Sequence, residues 1–193
     1  MRIGIYGGSF NPIHMGHMHV ADIAVKKMQL DHIYFCPAGN PYTKNPLDVA
    51  PSKDRYRMTS AACAYDERFL PLGMEVFREG PTYTIDTVRT LRRLNPDDEL
   101  FFIMGTDAFN QLPTWKNYEE LTKLITFVVI GRKNQKLRFP SQNEWDKVVI
   151  IQDEIDLDIS STQIRNAIKE NKSFRYLVPN DVYNYILEHN LYR

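Results

Sequence analysis

Apolar and polar positions alternate along the chain in two rhythms. Short, nearly unbroken apolar runs predict strands at Arg2–Tyr6, His32–Cys36, Leu100–Met104, Thr126–Ile130 and Val148–Ile151, and Phe69–Val76 also has β character. Leu100–Met104 and Thr126–Ile130 show no polar alternation, which predicts strands covered on both faces, with Val148–Ile151 as another such run. Between these runs lie stretches with helical spacing. Met15–Gln29 is amphipathic, Ser52 is placed to cap a helix through about Ala64, and Thr84–Leu94 puts Ile85, Val88 and Leu91 on one side. Ser160–Lys169 and Asp181–Asn190 close the chain as helices. Asn40–Pro51 contains three prolines and reads as a loop, and 134–147 is a polar insertion. Strand–helix alternation of this kind predicts an α/β fold with a mostly parallel sheet flanked by helices. At this length the expectation is one domain over residues 1–193, with a small C-terminal helical part over about 158–193.

Composition narrows the class of partner. Lys plus Arg and Asp plus Glu are 24 each, so net charge makes no case for a nucleic-acid or membrane partner. No apolar run reaches bilayer length, and MRIGIYGGSF lacks the apolar core of a signal peptide. Cys36 and Cys63 match no metal-ligand spacing and read as reduced thiols of a cytoplasmic protein. Small-molecule ligands are the expected partners; oligomeric state is left open, a homo-oligomer included.

The chemistry concentrates in two stretches. The first is GIYGGSFNPIHMGH, Gly4–His17. A strand, a turn through Gly7, Gly8, Ser9 and Phe10, and then a helix make a natural anion site, because free backbone N–H groups and the helix dipole both favour negative charge. The spacing is neither the G-x-G-x-x-G fingerprint nor a P-loop, and a tight strand-to-helix turn needs small residues even with no ligand. The histidines shift the balance. At roughly 100° per residue, Val20, Ala21, Ala24, Val25 and Met28 form one apolar stripe. His17 lies at the start of that stripe, His14 sits a turn earlier on a similar side, and His19 points the other way, to solvent. Structural histidines and an H-x-x-H metal pair are the alternatives. The metal reading lacks a third ligand nearby and sits beside a turn suited to an anion.

The second stretch is DISSTQIRNAIKE, Asp158–Glu170. Ser160 fits an N-cap with Gln163 completing a capping box, and Ile164, Ala167 and Ile168 form the inward face. The helix start offers free amides with the Ser161 and Thr162 hydroxyls, and Arg165 is within reach to fork onto phosphate oxygens. An ordinary helix start is the alternative for this stretch taken alone. Together, one start with histidines and one with arginine match the needs of a nucleoside triphosphate.

GGSFNPIHMGH and ISSTQIR resemble the H-x-G-H and S-S-T-x-I-R signatures of the nucleotidylyltransferase superfamily. EGPTYTIDTVRTL (Glu79–Leu91) and FFIMGTDAFNQLPTWKNYEEL (Phe101–Leu121) resemble the substrate-binding segments of its bacterial nicotinate-nucleotide adenylyltransferase branch, and the resemblance covers essentially the whole chain. It implies a Rossmann-like sheet. It also implies transfer of the adenylyl group of ATP to nicotinate mononucleotide, giving deamido-NAD and pyrophosphate, with Mg²⁺ carried on the ATP phosphates and no dedicated protein metal ligands. His14, His17 and Arg165 are the implied catalytic residues, the histidines donating to the ATP phosphates and favoured in the doubly protonated form by the polyanion. The implied ATP set adds Gly7, Gly8, Ser9, Phe10, Lys44, Gly105, Asp107, Arg132, Ile159, Ser160, Ser161 and Thr162. The implied nicotinate-nucleotide set is Tyr83, Thr84, Asp107, Trp115 and Lys116. Trp115 offers a flat face to the pyridine ring, with a core tryptophan as the alternative, and Asp107 a carboxylate to a ribose, with a cap for Ala108–Leu112 as the alternative. One departure stands out: the branch's P-P-H-K loop reads Pro41-Tyr42-Thr43-Lys44, so the lysine is kept and the histidine is absent. Rival readings are the same transfer to nicotinamide mononucleotide or pantetheine phosphate, and a non-catalytic nucleotide-binding module. A class I aminoacyl-tRNA synthetase would need a longer, more basic chain. The reading requires the His14–His17 turn and the Ser160–Arg165 turn to come together.

Overall fold

A computed structural model describes residues 1–40, 48–131, 136–138, 147–152 and 157–193. The strands are β1 (Arg2–Gly8), β2 (His32–Pro37), β3 (Phe69–Pro71), β4 (Glu99–Gly105), β5 (Thr126–Gly131) and β6 (Val148–Gln152). The helices are α1 (Met15–Met28), α2 (Ser52–Cys63), α3 (Thr84–Leu94), α4 (Thr106–Gln111), α5 (Tyr118–Leu124), α6 (Ser161–Lys169) and α7 (Asn180–Glu188). The strands form one six-stranded sheet of order β3-β2-β1-β4-β5-β6. Parallel pairing sets Ile5 opposite Phe102, Phe102 opposite Phe127, and Phe127 opposite Val148. This is the α/β architecture that the apolar rhythm predicts. The strand order changes direction between β1 and β4, and the carboxyl ends of strands at such a switch point are where ligands gather in open α/β sheets.

The chain forms two compact units. The first comprises Met1–Gly7, Ala21–Tyr34 and Tyr83–Asp156, and the second Gly8–Val20, Phe35–Thr82 and Leu157–Arg193. In the first unit, Ile3, Ile5, Leu100–Met104 and Phe127–Ile130 are buried, together with Ala21, Ala24 and Val25 of α1 and Ile85, Val88 and Leu91 of α3. β6 departs from expectation. It lies at the edge of the sheet, and Ile150 is 44% exposed, because an edge strand has a neighbour on one side only. Helix α5 has no counterpart in the sequence reading; it is seven residues long with only Leu121 buried, too short to show a period.

In the second unit, α2 packs on β3 and α7, and the Tyr185 hydroxyl donates to Asp54 Oδ1 at 2.6 Å. β3 is shorter than the predicted Phe69–Val76 stretch. Past Pro71 the chain turns, with Phe77 N–H donating to Gly73 O and Arg78 N–H to Glu75 O. Ser52 is not a cap. Pro51 takes that position and its carbonyl accepts from the N–H groups of Asp54 and Arg55, while Ser52 is the first helical residue. Among the described residues no helix is long and apolar enough to cross a membrane.

Cys36 and Cys63 are both free and buried. Burial pushes the Cys63 thiol up to about 12 and holds Cys36 well above the ordinary thiol range, with the nearby Glu75 carboxylate acting in the same direction. The thiolate is the reactive form, so at pH 8 both side chains stay protonated and shielded. The native protein is therefore expected to resist a thiol reagent at pH 8 and to release both thiols on unfolding. Labelling of the native protein at the rate of an exposed cysteine would contradict this placement.

Candidate active site

The turn after β1 is built from backbone conformation and ring packing. Phe10 has φ 44°, a left-handed conformation that costs a non-glycine residue about 1–2 kcal/mol. Its ring is buried, edge-on to His17 at 5.0 Å and tilted against Phe35 at 5.8 Å, and this packing holds the conformation. What Phe10 can offer a ligand is therefore its backbone. Asn11 secures the turn from within: its Nδ2 donates to Asp48 O at 2.7 Å and its Oδ1 accepts from Ala50 N–H at 2.9 Å.

His14 and His17 stack at 3.7 Å between ring centroids, 27° from parallel. The backbone N–H of His14 donates to His17 Nδ1 at 3.2 Å. Nδ1 is thus the accepting nitrogen of His17, and the contact fixes the direction of the ring. Gly16 leaves room for this pair, since a Cβ there would lie 3.1 Å from the His14 ring. His19 is half-buried rather than turned out to solvent.

Helix α6 meets this turn. Ser160 is its N-cap, and both halves of the predicted capping box with Gln163 are present. Ser161 Oγ donates to Pro12 O at 2.9 Å, and Arg165 Nη1 donates to Asn11 O at 2.9 Å, across sequence separations of 149 and 154 residues. Arg165 Nη2 also reaches Thr162 Oγ1 at 3.3 Å. Ile159 lies beside the same turn: its carbonyl would be 3.5 Å from a Cβ on Gly16. The two predicted motifs therefore do come together, all within the second unit. Sequence reasoning missed Arg55 here. Its guanidinium is buried and donates to Ser9 O, Gly39 O and Ala50 O at 2.7, 2.8 and 2.9 Å. In sequence it is one arginine among the charges of SKDRYRM, with nothing to mark it as an inward position.

The first unit holds the remaining candidates. A Cβ on Gly7 would lie 2.9 Å from the Phe102 ring, and Phe102 packs edge-on against Trp115 at 5.7 Å. Trp115 is only half-buried, so it is not a core tryptophan. Gly105 is the N-cap of α4, which begins at Thr106; Asp107 is thus inside the helix and exposed, not its cap. Tyr83 is the N-cap of α3 and Thr84 its first residue. Lys116 Nζ sits 4.1 Å above the Tyr83 ring and 3.9 Å from Asp86 Oδ2. Asp107 also lines a cavity of about 580 Å³ with Asn110, Gln111, Lys136 and Arg138. Asn110 fixes that segment, donating to Lys136 O at 3.0 Å and accepting from Arg138 N–H at 2.8 Å. Residues 136–138 of the predicted insertion are thus docked, and Lys136 and Arg138 had no motif to announce them. Lys44, with the Thr43 departure, and Arg132 lie outside the described residues.

Comparison with known proteins places this geometry. The profile of the cytidylyltransferase-like family matches residues 5–167. A "Probable nicotinate-nucleotide adenylyltransferase" of Thermus thermophilus is 45% identical over 193 residues, covering all of both chains. A protein of the same name from Acidothermus cellulolyticus is 41% identical over 197 residues, covering all of this chain and 94% of its own. Among solved structures, "Plasmodium falciparum nicotinic acid mononucleotide adenylyltransferase complexed with APC" superposes with a TM-score of 0.82 at 22% identity, covering 99% of this chain and 96% of that one. That last likeness is one of fold.

Two substitutions test the local geometry through stability. Ser160→Ala removes a cap that accepts from Gln163 N–H and is expected to cost about 1 kcal/mol in denaturant unfolding. Gly7→Ala presses a methyl group into the Phe102 ring and is expected to cost about 1–3 kcal/mol. An unchanged midpoint for either would contradict the contact described.

Proposed function

From the premise that the chain belongs to the cytidylyltransferase-like family, and within it to the nicotinate-nucleotide adenylyltransferases, we propose that it transfers the adenylyl group of ATP to the phosphate of nicotinate mononucleotide. The products are deamido-NAD and pyrophosphate, an adenylylation step of NAD biosynthesis in the cytoplasm, and residues 1–193 serve this one activity. The observation that carries the assignment is the junction of the His14–His17 turn with the α6 start, through Ser161 to Pro12 O and Arg165 to Asn11 O.

The acceptor phosphate is already an anion and a competent nucleophile, so no side chain need be activated to attack. What must be overcome is repulsion between two polyanions and the demand for in-line geometry. In the second unit, His17 donates from Nε2 to the phosphate whose charge grows during attack, and His14 stacks on it as partner donor. The Gly8–Phe10 backbone and the Ile159–Thr162 segment supply further donors to the triphosphate. Arg165 has five N–H groups, of which two are used within the described fold, and it holds the leaving pyrophosphate with the rest. In the first unit, Trp115 faces the pyridine ring, Thr84 with Tyr83 and Lys116 serves the nicotinate carboxylate, and Gly105 with Asp107 serves ribose and phosphate. Lys44, the lysine kept from the P-P-H-K loop, is assigned to phosphate, and Arg132, which follows β5 in sequence, to the adenine or the phosphates. Mg²⁺ enters on the phosphates as part of the substrate. An oxygen-seeking cation that keeps its waters is suited to ligands on the triphosphate.

The test is release of pyrophosphate from MgATP with a panel of acceptors: nicotinate mononucleotide, nicotinamide mononucleotide and pantetheine phosphate. Turnover with the first above the others is expected; none with any of the three would overturn the reading. His17→Ala is expected to lower kcat by about 10²-fold or more with a smaller change in KM. Trp115→Ala is expected to raise the acceptor KM and leave that of ATP nearly unchanged, whereas equal losses for both substrates would mean a damaged fold.

A further inference from the structure

Arg55 is a buried cation of α2, 1% exposed, and it makes no ion pair among the described residues. A charge taken out of water without a counter-charge is costly unless it is fully hydrogen-bonded. Here the compensation is three backbone carbonyls. Nε donates to Ala50 O at 2.9 Å, Nη1 to Ser9 O at 2.7 Å and Nη2 to Gly39 O at 2.8 Å. Three separate segments thus end on one planar group: the turn after β1, the exit of β2 and the approach to α2. A rigid fork reaches three diverging acceptors at once; the compact ammonium of a lysine does not.

The consequence lies in the peptide that follows Ser9. The Ser9–Phe10 bond is trans, since the cis bond of this region is Asn11–Pro12. In a trans peptide the N–H points opposite to the carbonyl of the preceding residue. With Ser9 O turned to the buried guanidinium, the Phe10 N–H must face away from it. Phe10 is also the residue of this turn with a left-handed φ, 44°, a conformation that relaxes unless its surroundings hold it.

We propose that Arg55 is a positioning residue of the adenylyl-transfer site: by holding the Ser9 carbonyl, it aims the Phe10 N–H at the triphosphate. This rests on the reading that the turn binds ATP. Arg55 does not touch the nucleotide. It fixes the direction of a donor that does, and the Asn11 bonds to Asp48 O and Ala50 N–H brace the same corner.

Two measurements test it. In wild type, the Phe10 amide resonance is expected to move downfield when a non-hydrolysable ATP analogue with Mg²⁺ is added, as a new donor bond to phosphate requires. In Arg55→Lys, kcat/KM for ATP is expected to fall by about 10²-fold, the acceptor KM changing by less than about twofold. Val182→Ala, a truncation in buried α7, serves as a control that lowers stability while keeping both KM values and kcat. A Phe10 amide that does not respond to the nucleotide overturns the proposal whether or not the variant folds. So does an Arg55→Lys enzyme with wild-type kcat/KM for ATP, or a matching loss in Val182→Ala. Pyrophosphate release by wild type separates the two levels: without it the functional reading fails, and with it only the role of Arg55 is at stake.

Discussion

Three carbonyl oxygens of one short turn are held by side chains, and the geometry of the second unit follows from that. Ser9 O accepts from Arg55, Asn11 O from Arg165 and Pro12 O from Ser161. Between the end of a strand and the start of a helix the backbone has left one hydrogen-bonding ladder and not yet joined the next. A buried carbonyl left unpaired there costs about 1–3 kcal/mol. The chain meets this demand with donors from α2 on one hand and α6 on the other. The contact between distant motifs is therefore a requirement of backbone satisfaction before it is a requirement of chemistry. Because a peptide N–H points opposite to the preceding carbonyl, tying down the oxygens also directs the following amide away from the tie, as the role proposed for Arg55 requires.

The same economy appears in the histidine pair. The rings stack at 3.7 Å, and the His14 N–H on His17 Nδ1 fixes the direction of the second ring from the backbone. A donor whose direction is set before a substrate arrives costs no reorganisation at the moment of reaction. Arg165 is held in the same way, braced on Asn11 O and half-buried. Side chains held in place by backbone contacts fit the proposed reaction, in which the nucleophile arrives already ionised.

Much of this was legible in the sequence, for identifiable reasons. Leu100–Met104 and Thr126–Ile130 read as central strands because apolar residues on both faces leave no other economical place for them. Ser160 and Gln163 read as a capping box because the motif is local and its two bonds close within four residues. The failures share a different cause: they depend on neighbours far away in sequence. Val148–Ile151 has the composition of a central strand, but its place at the edge is decided by strand order. Ser52 is a good cap by type, yet the preceding Pro51 occupies the cap position and its carbonyl takes the first helical N–H groups. Arg55 is the extreme case, since its three acceptors lie 46, 16 and 5 residues away and none is a side chain. The direction of the His17 ring was likewise beyond composition, because a backbone N–H three residues upstream bonds its Nδ1.

The glycines show why a motif can be read correctly for an incomplete reason. A glycine-rich turn is usually credited to conformational freedom or to close approach of a ligand. Among the described glycines only Gly80 has a positive φ, so Gly7, Gly8 and Gly16 are not there for a left-handed backbone. The left-handed residue of the turn is Phe10, held by its own buried ring. Gly7 is small because the Phe102 ring lies where a Cβ would be, and Gly16 because the His14 ring does. Each glycine thus makes room for a ring, and those rings in turn place Trp115 and His17. Substrate specificity in such a signature resides in the side chains and amides that the glycines allow into position, which is why the histidines, and not the glycines, were the informative part of the sequence.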